Sequence, residues 1–320
     1  MTYIWYLIAL ILLAIPFASM VFLPISKSKP VLVIFFLIFI VFMYGPMLTM
    51  GVLSFQGPFG SMTLPAKDLG SLHWFTELRS DSSLMVGVRD GISKSLWISL
   101  VVAAITAFLS LSLGMAFRRQ FRGGGILFYA ILLSLMTPGL LLSLGLSFLL
   151  YYIGFHKGEG TLGYLPIIGV QAVWALPFGF LVMMSVFNRY DARAEEAARD
   201  LGASSFTTFR EVTLPLIWTG VFGAGLFGFT LALNEFERTF LISGAINTLP
   251  LKLYIITSSS VLRPYVYSLG VVTIIISFLL IGVFLLVSAV TGRKKDLAIE
   301  EDGSGVDDLP SMSAATASGD

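Results

Sequence analysis

No cysteine occurs in the 320 residues, and only two histidines do. The first absence removes disulfides, thiolate metal sites and cysteine nucleophiles together. His73 and His156 stand far apart in polar stretches. A metal site needs several converging ligands, so no metal centre is expected. Charge is scarce too: 12% of the residues are Asp, Glu, Lys or Arg, about half the share of an average soluble chain. The net charge of +1 argues neither for nor against a charged partner; no nucleic-acid partner is expected. The pattern G-x-x-x-x-G-K-[ST] is missing, and the glycine run in "RGGGILFYA" has no phosphate-cradling lysine. The chain is therefore not expected to hydrolyse ATP itself. No H-E-x-x-H or clustered His/Asp set supports an integral-membrane enzyme. Period-2 alternation is absent, which excludes an outer-membrane barrel, and no fixed-period repeat is visible.

What the chain has in abundance is apolar sequence: 56% of its residues are hydrophobic and the mean hydropathy is +0.89. Crossing a hydrocarbon core of roughly 30 Å takes about 20 helical residues. Seven stretches of that kind lie within Tyr3–Ser26, Val31–Phe55, Ser95–Phe117, Gly125–Phe155, Thr161–Asn188, Leu216–Asn234 (extending toward Ile242) and Pro264–Gly292. The reading is an all-α membrane protein, a polytopic helical bundle. The first stretch lacks a basic n-region and is too long for a signal peptide, so it is expected to stay as a helix.

Lys and Arg near helix ends favour the cytoplasm. One set of alternate loops holds twelve of them, including Arg118, Arg119, Arg122, Arg189, Arg193, Arg199 and Arg210; the other set holds seven, with Arg238 near a helix end. The expected orientation puts the N-terminus outside and the C-terminus inside. The loop over residues 56–94 contains "SLHWFTELRSDSS", which suits a short surface helix. After Arg293, Lys294 and Lys295, the tail 293–320 turns acidic and then Ser/Ala/Gly-rich, the composition of a disordered cytoplasmic tail.

One polar stretch, residues 191–215, interrupts the apolar runs. Asp191 suits an N-cap, and Glu195 and Glu196 sit where the helix dipole favours negative charge. Glu195 can pair with Arg199 at i,i+4. Ala194, Ala197, Ala198 and Leu201 share one small apolar face. Gly202 fits the left-handed residue that ends a helix. Ser204 or Ser205 then caps a second helix carrying Phe206, Phe209 and Val212, which Pro215 is expected to close. Small alanines allow close approach and the phenylalanines supply an anchor, a combination suited to docking in a protein groove.

The residues Glu196-Ala197-Ala198, three more, Gly202, nine more, Val212, one more, then Leu214-Pro215 run without a gap. This stretch resembles the EAA loop of inner-membrane permease subunits of binding-protein-dependent ABC importers. The resemblance covers roughly residues 70–292. "LMTPGLLLSLGLSFLL", "FTLALNEFERTFLISG" and "LPLKLYIITSSSVLRPYVYSLGVVTIIIS" look most like the spermidine/putrescine permease branch. It implies a six-helix permease core over residues 31–292 with both ends cytoplasmic, to which residues 1–30 add one extra N-terminal transmembrane helix. It also implies a multi-pass protein of the bacterial inner membrane that is no enzyme and binds no cofactor. A second permease subunit, identical or homologous, completes the pathway. Cytoplasmic ATPase subunits consume the ATP, and a periplasmic binding protein delivers the solute. The ATPase-coupling residues are then Glu195, Glu196, Ala197, Ala198, Leu201, Gly202, Phe206, Phe209, Leu214 and Pro215.

For the substrate pathway, ionisable and polar residues inside an apolar stretch are the first suspects. Asn234, Glu235 and Glu237 are the candidates, with Trp174. Counted along a helix from Leu216, Glu235 lies about 28 Å up, close to the outer face. The alternative for it is an interfacial pair with Arg238 that stabilises little. Two acidic residues suit a polyamine; Arg238 argues against a purely acidic lining. Opines, amino-acid derivatives and ferric ion are the other solutes considered. A channel without an ATPase is the remaining transport reading. Pro138-Gly139 and Pro177 are expected to serve packing, with kinks near a pathway as the alternative.

Overall fold

The structure, a computed structural model, describes residues 25–154, 163–259, 264–279, 281–283 and 286. The stretch Tyr3–Ser26 falls almost wholly outside them. His156, Lys157, Arg263 and the tail 293–320 are also outside the described residues. All regular structure among the described residues is helical. Among the described residues, five helices are long and apolar enough to cross a membrane, six if one sharply bent pair counts as a single span. Six is the number expected for residues 31–292, reached when the bent pair is taken as one span.

The chain divides into two compact units. The first comprises residues 1–80 and 261–273. Within it lie α1 (Ile25–Ser54) and the short helix α2 (His73–Glu77), which is the surface helix expected in the 56–94 loop. The Trp74 indole N–H donates to the Gly57 carbonyl at 3.1 Å, and the Tyr267 hydroxyl donates to the Met62 carbonyl at 2.7 Å. These bonds tie the loop down at both ends. Phe36, Val41 and Phe42 on α1 are exposed, as suits a surface meeting lipid or another subunit.

The second unit, residues 81–260 and 274–320, is built on three long helices. These are α3 (Ser83–Phe117), α6 (Tyr164–Phe187) and α9 (Leu214–Leu233). Between the first two run α4 (Gly124–Leu133) and α5 (Gly139–Tyr152). Between the last two run α7 (Arg193–Asp200) and α8 (Ser205–Thr208). The unit continues with α10 (Leu249–Ser259). The apolar helix α11 (Tyr265–Val283) begins among residues of the first unit and ends among those of the second. Small side chains let α3, α6 and α9 approach closely. A Cβ on Gly179 would meet the Ser110 hydroxyl, and one on Gly228 would stand 2.8 Å from Thr106. Ile98, Val102, Ile167, Val170 and Ala232 fill one part of this core; Met183, Ile217 and Ala224 fill another.

Four boundaries differ from the expectation. Helix α3 starts at Ser83, not near Ser95, because the Ser82 hydroxyl caps it by accepting from the Met85 N–H at 3.4 Å. Lys94 and Asp90 pair one turn apart at 2.6 Å on its polar start. Residues 125–155 are not one straight span: the chain turns by 102° between Met136 and Gly139. Pro138 has no N–H to give a helix, and it adopts an extended backbone as the N-cap of α5. Pro215 does not close a helix. It sits in the first turn of α9, where its missing N–H is not needed, and a π-helical stretch over Phe209–Thr213 joins α8 to it. Lastly, α9 ends at Leu233 and does not extend toward Ile242; residues 234–248 form turns.

Candidate functional site

Two groups of residues stand out in the second unit. The first is the polar stretch 190–215. The α7 sequence RAEEAARD opens with Glu195 and Glu196 in its first turn and carries Arg199 in its last, as the helix dipole favours. Asp191, expected as the N-cap, stands one residue ahead of the observed cap, Ala192, and accepts from the Arg193 N–H at 3.0 Å. Gly202 has φ +88°, the left-handed turn predicted for it, and nothing stands within 4 Å of the site of its missing Cβ. Ser204 caps the next turn by accepting from the Thr207 N–H at 3.2 Å.

The two glutamates part company here. Glu195 is buried, and its Oε1 gathers three donors: the Arg118 guanidinium at 2.8 Å, the Tyr190 hydroxyl at 2.7 Å and the Thr213 hydroxyl at 2.7 Å. The predicted partner Arg199 reaches only Oε2, at 3.9 Å. Burial by itself pushes the Glu195 carboxyl up. Arg118, with the two hydroxyls, outweighs that and holds it at about 2. Burial also pushes the Tyr190 phenol above its ordinary value, and Glu195 adds to the push. Arg118 lies over the rings of Tyr190, at 4.9 Å, and Phe187, at 5.4 Å. One carboxylate therefore clips α7 to the end of α3 through Arg118 and to the threshold of α9 through Thr213.

Held this way, the loop leaves most of its other predicted residues exposed. Glu196, Ala197 and Gly202 are exposed and Ala198 is half-buried. Leu201 is 91% exposed and Phe206 71%, so two large apolar side chains project where solvent alone would disfavour them. Phe209 lies lower, lining a cleft of about 370 Å³ with Arg118, Arg119, Glu195 and Arg199. Leu214 is half-buried and Pro215 exposed. Arg118, Tyr190 and Thr213 were not singled out from sequence. They come from three separate stretches, and no local spacing marks them as partners.

The second group lies where α9 gives way to turns. Glu235 and Arg238 are 8% and 7% exposed. Arg238 gives its Nη1 to both carboxylate oxygens of Glu235, at 3.1 and 3.3 Å, and its backbone N–H to Oε1 at 2.9 Å. Its guanidinium centre stands 3.5 Å from the Trp174 ring centroid. Trp174 is near the middle of the 24-residue α6. The weak interfacial pair considered from the sequence is thus a buried one, lying in the turns that follow the end of α9 at Leu233. Glu237 is exposed, as is Asn234, whose amide donates to the Thr230 carbonyl at 3.1 Å.

The 102° break packs against the same segment. A Cβ on Gly139 would meet Glu237 Oε2 at 2.7 Å and Arg238 Nη1 at 3.2 Å. The Ser143 hydroxyl accepts from the Leu241 N–H at 3.1 Å. On α6, the Gln171 amide donates to the Thr239 hydroxyl at 2.9 Å. Gln171 also escaped the sequence reading, although a lone amide in "PIIGVQAVWALPF" was a usable signal, since buried polar groups in apolar spans need partners. Among the described residues, no group of His, Asp and Glu could hold a metal ion.

Residues 107–291 match the family model described as the binding-protein-dependent transport system inner membrane component. The chain is similar to the spermidine/putrescine transport system permease protein PotC of Escherichia coli (strain K12), with 25% identity over 209 residues, covering 65% of this chain and 76% of that one. It is 28% identical over 238 residues to the putrescine transport system permease protein PotI of the same strain, covering 72% of this chain and 81% of that one. Among solved structures, a chain of a bacterial ABC transporter involved in the import of the acidic polysaccharide alginate is similar at 13% identity and a TM-score of 0.49, with 86% of this chain and 98% of that one covered.

Proposed function

Because the chain belongs to the family of binding-protein-dependent transport system inner membrane components, we propose that it forms half of a polyamine import pathway and couples it to separate ATPase subunits through residues 191–215. It is a multi-pass inner-membrane permease subunit. The coupling residues are Glu196, Ala197, Ala198, Leu201, Gly202, Phe206 and Phe209, with Glu195 as the internal anchor of the loop. Leu214 and Pro215 begin the helix that carries motion onward. A second permease subunit and a periplasmic binding protein complete the importer, and ATP is used only by the ATPase. The polar loop faces the cytoplasm in this reading, as does the C-terminus.

The observation that carries the coupling role is the pairing of a rigid base with an exposed apolar tip. The four partners of Glu195 fix the base, and Leu201 and Phe206 stand out at the tip. A docking element needs both: preorganisation limits the entropy lost on binding, and apolar anchors supply affinity. Polyamine is the preferred solute because two polyamine permeases are similar along most of the chain and because Glu237 borders the break in the bundle, with Glu235 buried beside it on Arg238.

The test is Gly202→Asp in the assembled importer. A branched, charged side chain at φ +88° strains the turn and disturbs the tip, while the spans are untouched. The variant is expected at normal level in the membrane, with ATPase co-purification and radiolabelled spermidine uptake reduced about tenfold or more, the loss of roughly 1.4 kcal/mol or more of docking energy. Normal co-purification with normal uptake would sink the coupling role. Failure of the unmodified complex to take up spermidine or putrescine would sink the solute.

A further inference from the structure

The site around Trp174 contains everything needed to recognise an organic cation, and the chain fills it with its own. An aromatic face attracts a cation placed over it, and a buried carboxylate demands a positive partner. Arg238 satisfies both at once, at 3.5 Å from the Trp174 centroid and 3.1 Å from Glu235. Two further acceptors lie in the same neighbourhood. Gln171, one turn from Trp174 on α6, is 1% exposed and its Oε1 has no hydrogen-bond partner; such orphans are rare in proteins. Glu237 is exposed, enters none of the ion pairs among the described residues, and crowds the same point beside Gly139 as Arg238 Nη1. Among the described residues, these acceptors outnumber the one cation shown on them, Arg238. The pair also sits on turns and not on a regular helix, so Arg238 can move without breaking a helical ladder.

We propose that Trp174, Glu235 and Gln171 form a subsite for an ammonium group, that Arg238 occupies it when no cargo is present, and that cargo enters by displacing Arg238 toward Glu237. The inference rests on the polyamine reading for the identity of the cargo, but not for the existence of the subsite. Charge is conserved throughout the exchange: the cargo ammonium takes Glu235 and the Trp174 face, while the guanidinium passes to Glu237. Glu235 never stands unpaired, which in a buried setting would cost several kcal/mol. An occupied subsite also closes the route to other solutes, because a neutral or anionic molecule cannot replace a guanidinium on a carboxylate. Self-occupation weakens apparent affinity by the fraction of time the site is free.

Removing the occupant should therefore tighten binding, an effect that a merely structural arginine cannot produce. The experiment measures equilibrium binding of radiolabelled spermidine and of ethylguanidinium to the assembled importer in lipid nanodiscs. Arg238→Ala is expected to bind both cations about tenfold or more tightly than the unmodified complex, as vacating a mostly occupied site requires. Adding Glu235→Gln to it should abolish the gain, and adding Trp174→Leu should reduce it. Absence of any gain for either cation overturns the proposal, even where spermidine uptake by the unmodified complex upholds the solute. A gain for ethylguanidinium alone upholds the subsite and removes polyamine as the cargo. Should Arg238→Ala fail to assemble, Arg238→Lys decides. It keeps the charge but loses the planar stacked fork, and it is expected to bind spermidine a few-fold tighter than the unmodified complex; no gain there overturns the proposal as well.

Discussion

Glu195 and Glu196 are adjacent carboxylates on one short helix, yet one is buried among four partners and the other is exposed. The helical turn of about 100° per residue separates their directions, and only Arg118 and Thr213 from distant stretches decide which one turns inward. Glu195→Gln keeps an acceptor for a hydroxyl but leaves Arg118 facing a neutral amide. The loop should lose on the order of 1–3 kcal/mol of attachment. Trypsin is then expected to cut the solubilised chain at the exposed Arg199 and Arg210 about tenfold faster than in the unmodified protein; an unchanged rate would show the Arg118 bond to be idle. The pH dependence follows from the depressed carboxyl. Its stabilisation is complete above the ordinary value of 4.5 and fades as pH falls toward about 2. The stability difference between wild type and Glu195→Gln should thus be flat from about pH 5 to 8 and shrink below about pH 4.5, as thermal unfolding can follow.

Proline acts in opposite ways in two helical elements. Pro215 falls in the first turn of α9 and is absorbed, whereas Pro138 stands between two helical pieces and the chain turns by 102°. Sequence alone weighed packing above a kink at Pro138-Gly139. The break is larger than a kink, and it positions α5 so that Gly139 abuts Glu237 and Arg238. A valine there has no room, since its Cβ would fall 2.9 Å from the Glu237 Cβ. Overpacking of this kind costs about 1–3 kcal/mol. Gly139→Val is expected to leave membrane level and ATPase co-purification intact and to cut spermidine uptake about tenfold. Uptake at the normal rate would show that the 234–248 segment moves freely away from α5.

At the scale of the whole molecule, the proposed orientation rests on the bias of twelve basic residues against seven in alternate loops. A reporter active only in the cytoplasm is expected to be active when fused after Lys295 and silent when fused after Lys157. The reverse pattern would place the 191–215 loop outside and remove it from any contact with an ATPase. Exposed apolar faces agree with a membrane-embedded chain: Phe36 and Phe42 on α1, and Trp97 and Phe108 on α3, all lie open, surfaces that a water-soluble chain would cover.

The helical class, the number of spans over residues 31–292, the left-handed turn at Gly202 and the cap at Ser204 were all legible in the sequence. Each depends on contacts within a few residues or on the length of an apolar run, and such information is local. The break at Pro138, the passage of the chain through Pro215, the end of α9 at Leu233 and the burial of Glu195 and Glu235 were not legible. Proline fits a helix start, a bend or a turn equally well, and neighbouring helices choose among them. A carboxylate is buried only where a guanidinium from elsewhere can reach it, as Arg118 reaches Glu195 at 2.8 Å across 77 positions of chain. Sequence therefore determined which residues could do chemistry, and the tertiary structure decided which of them met, because the cost of burying charge is offset only by partners that packing brings together.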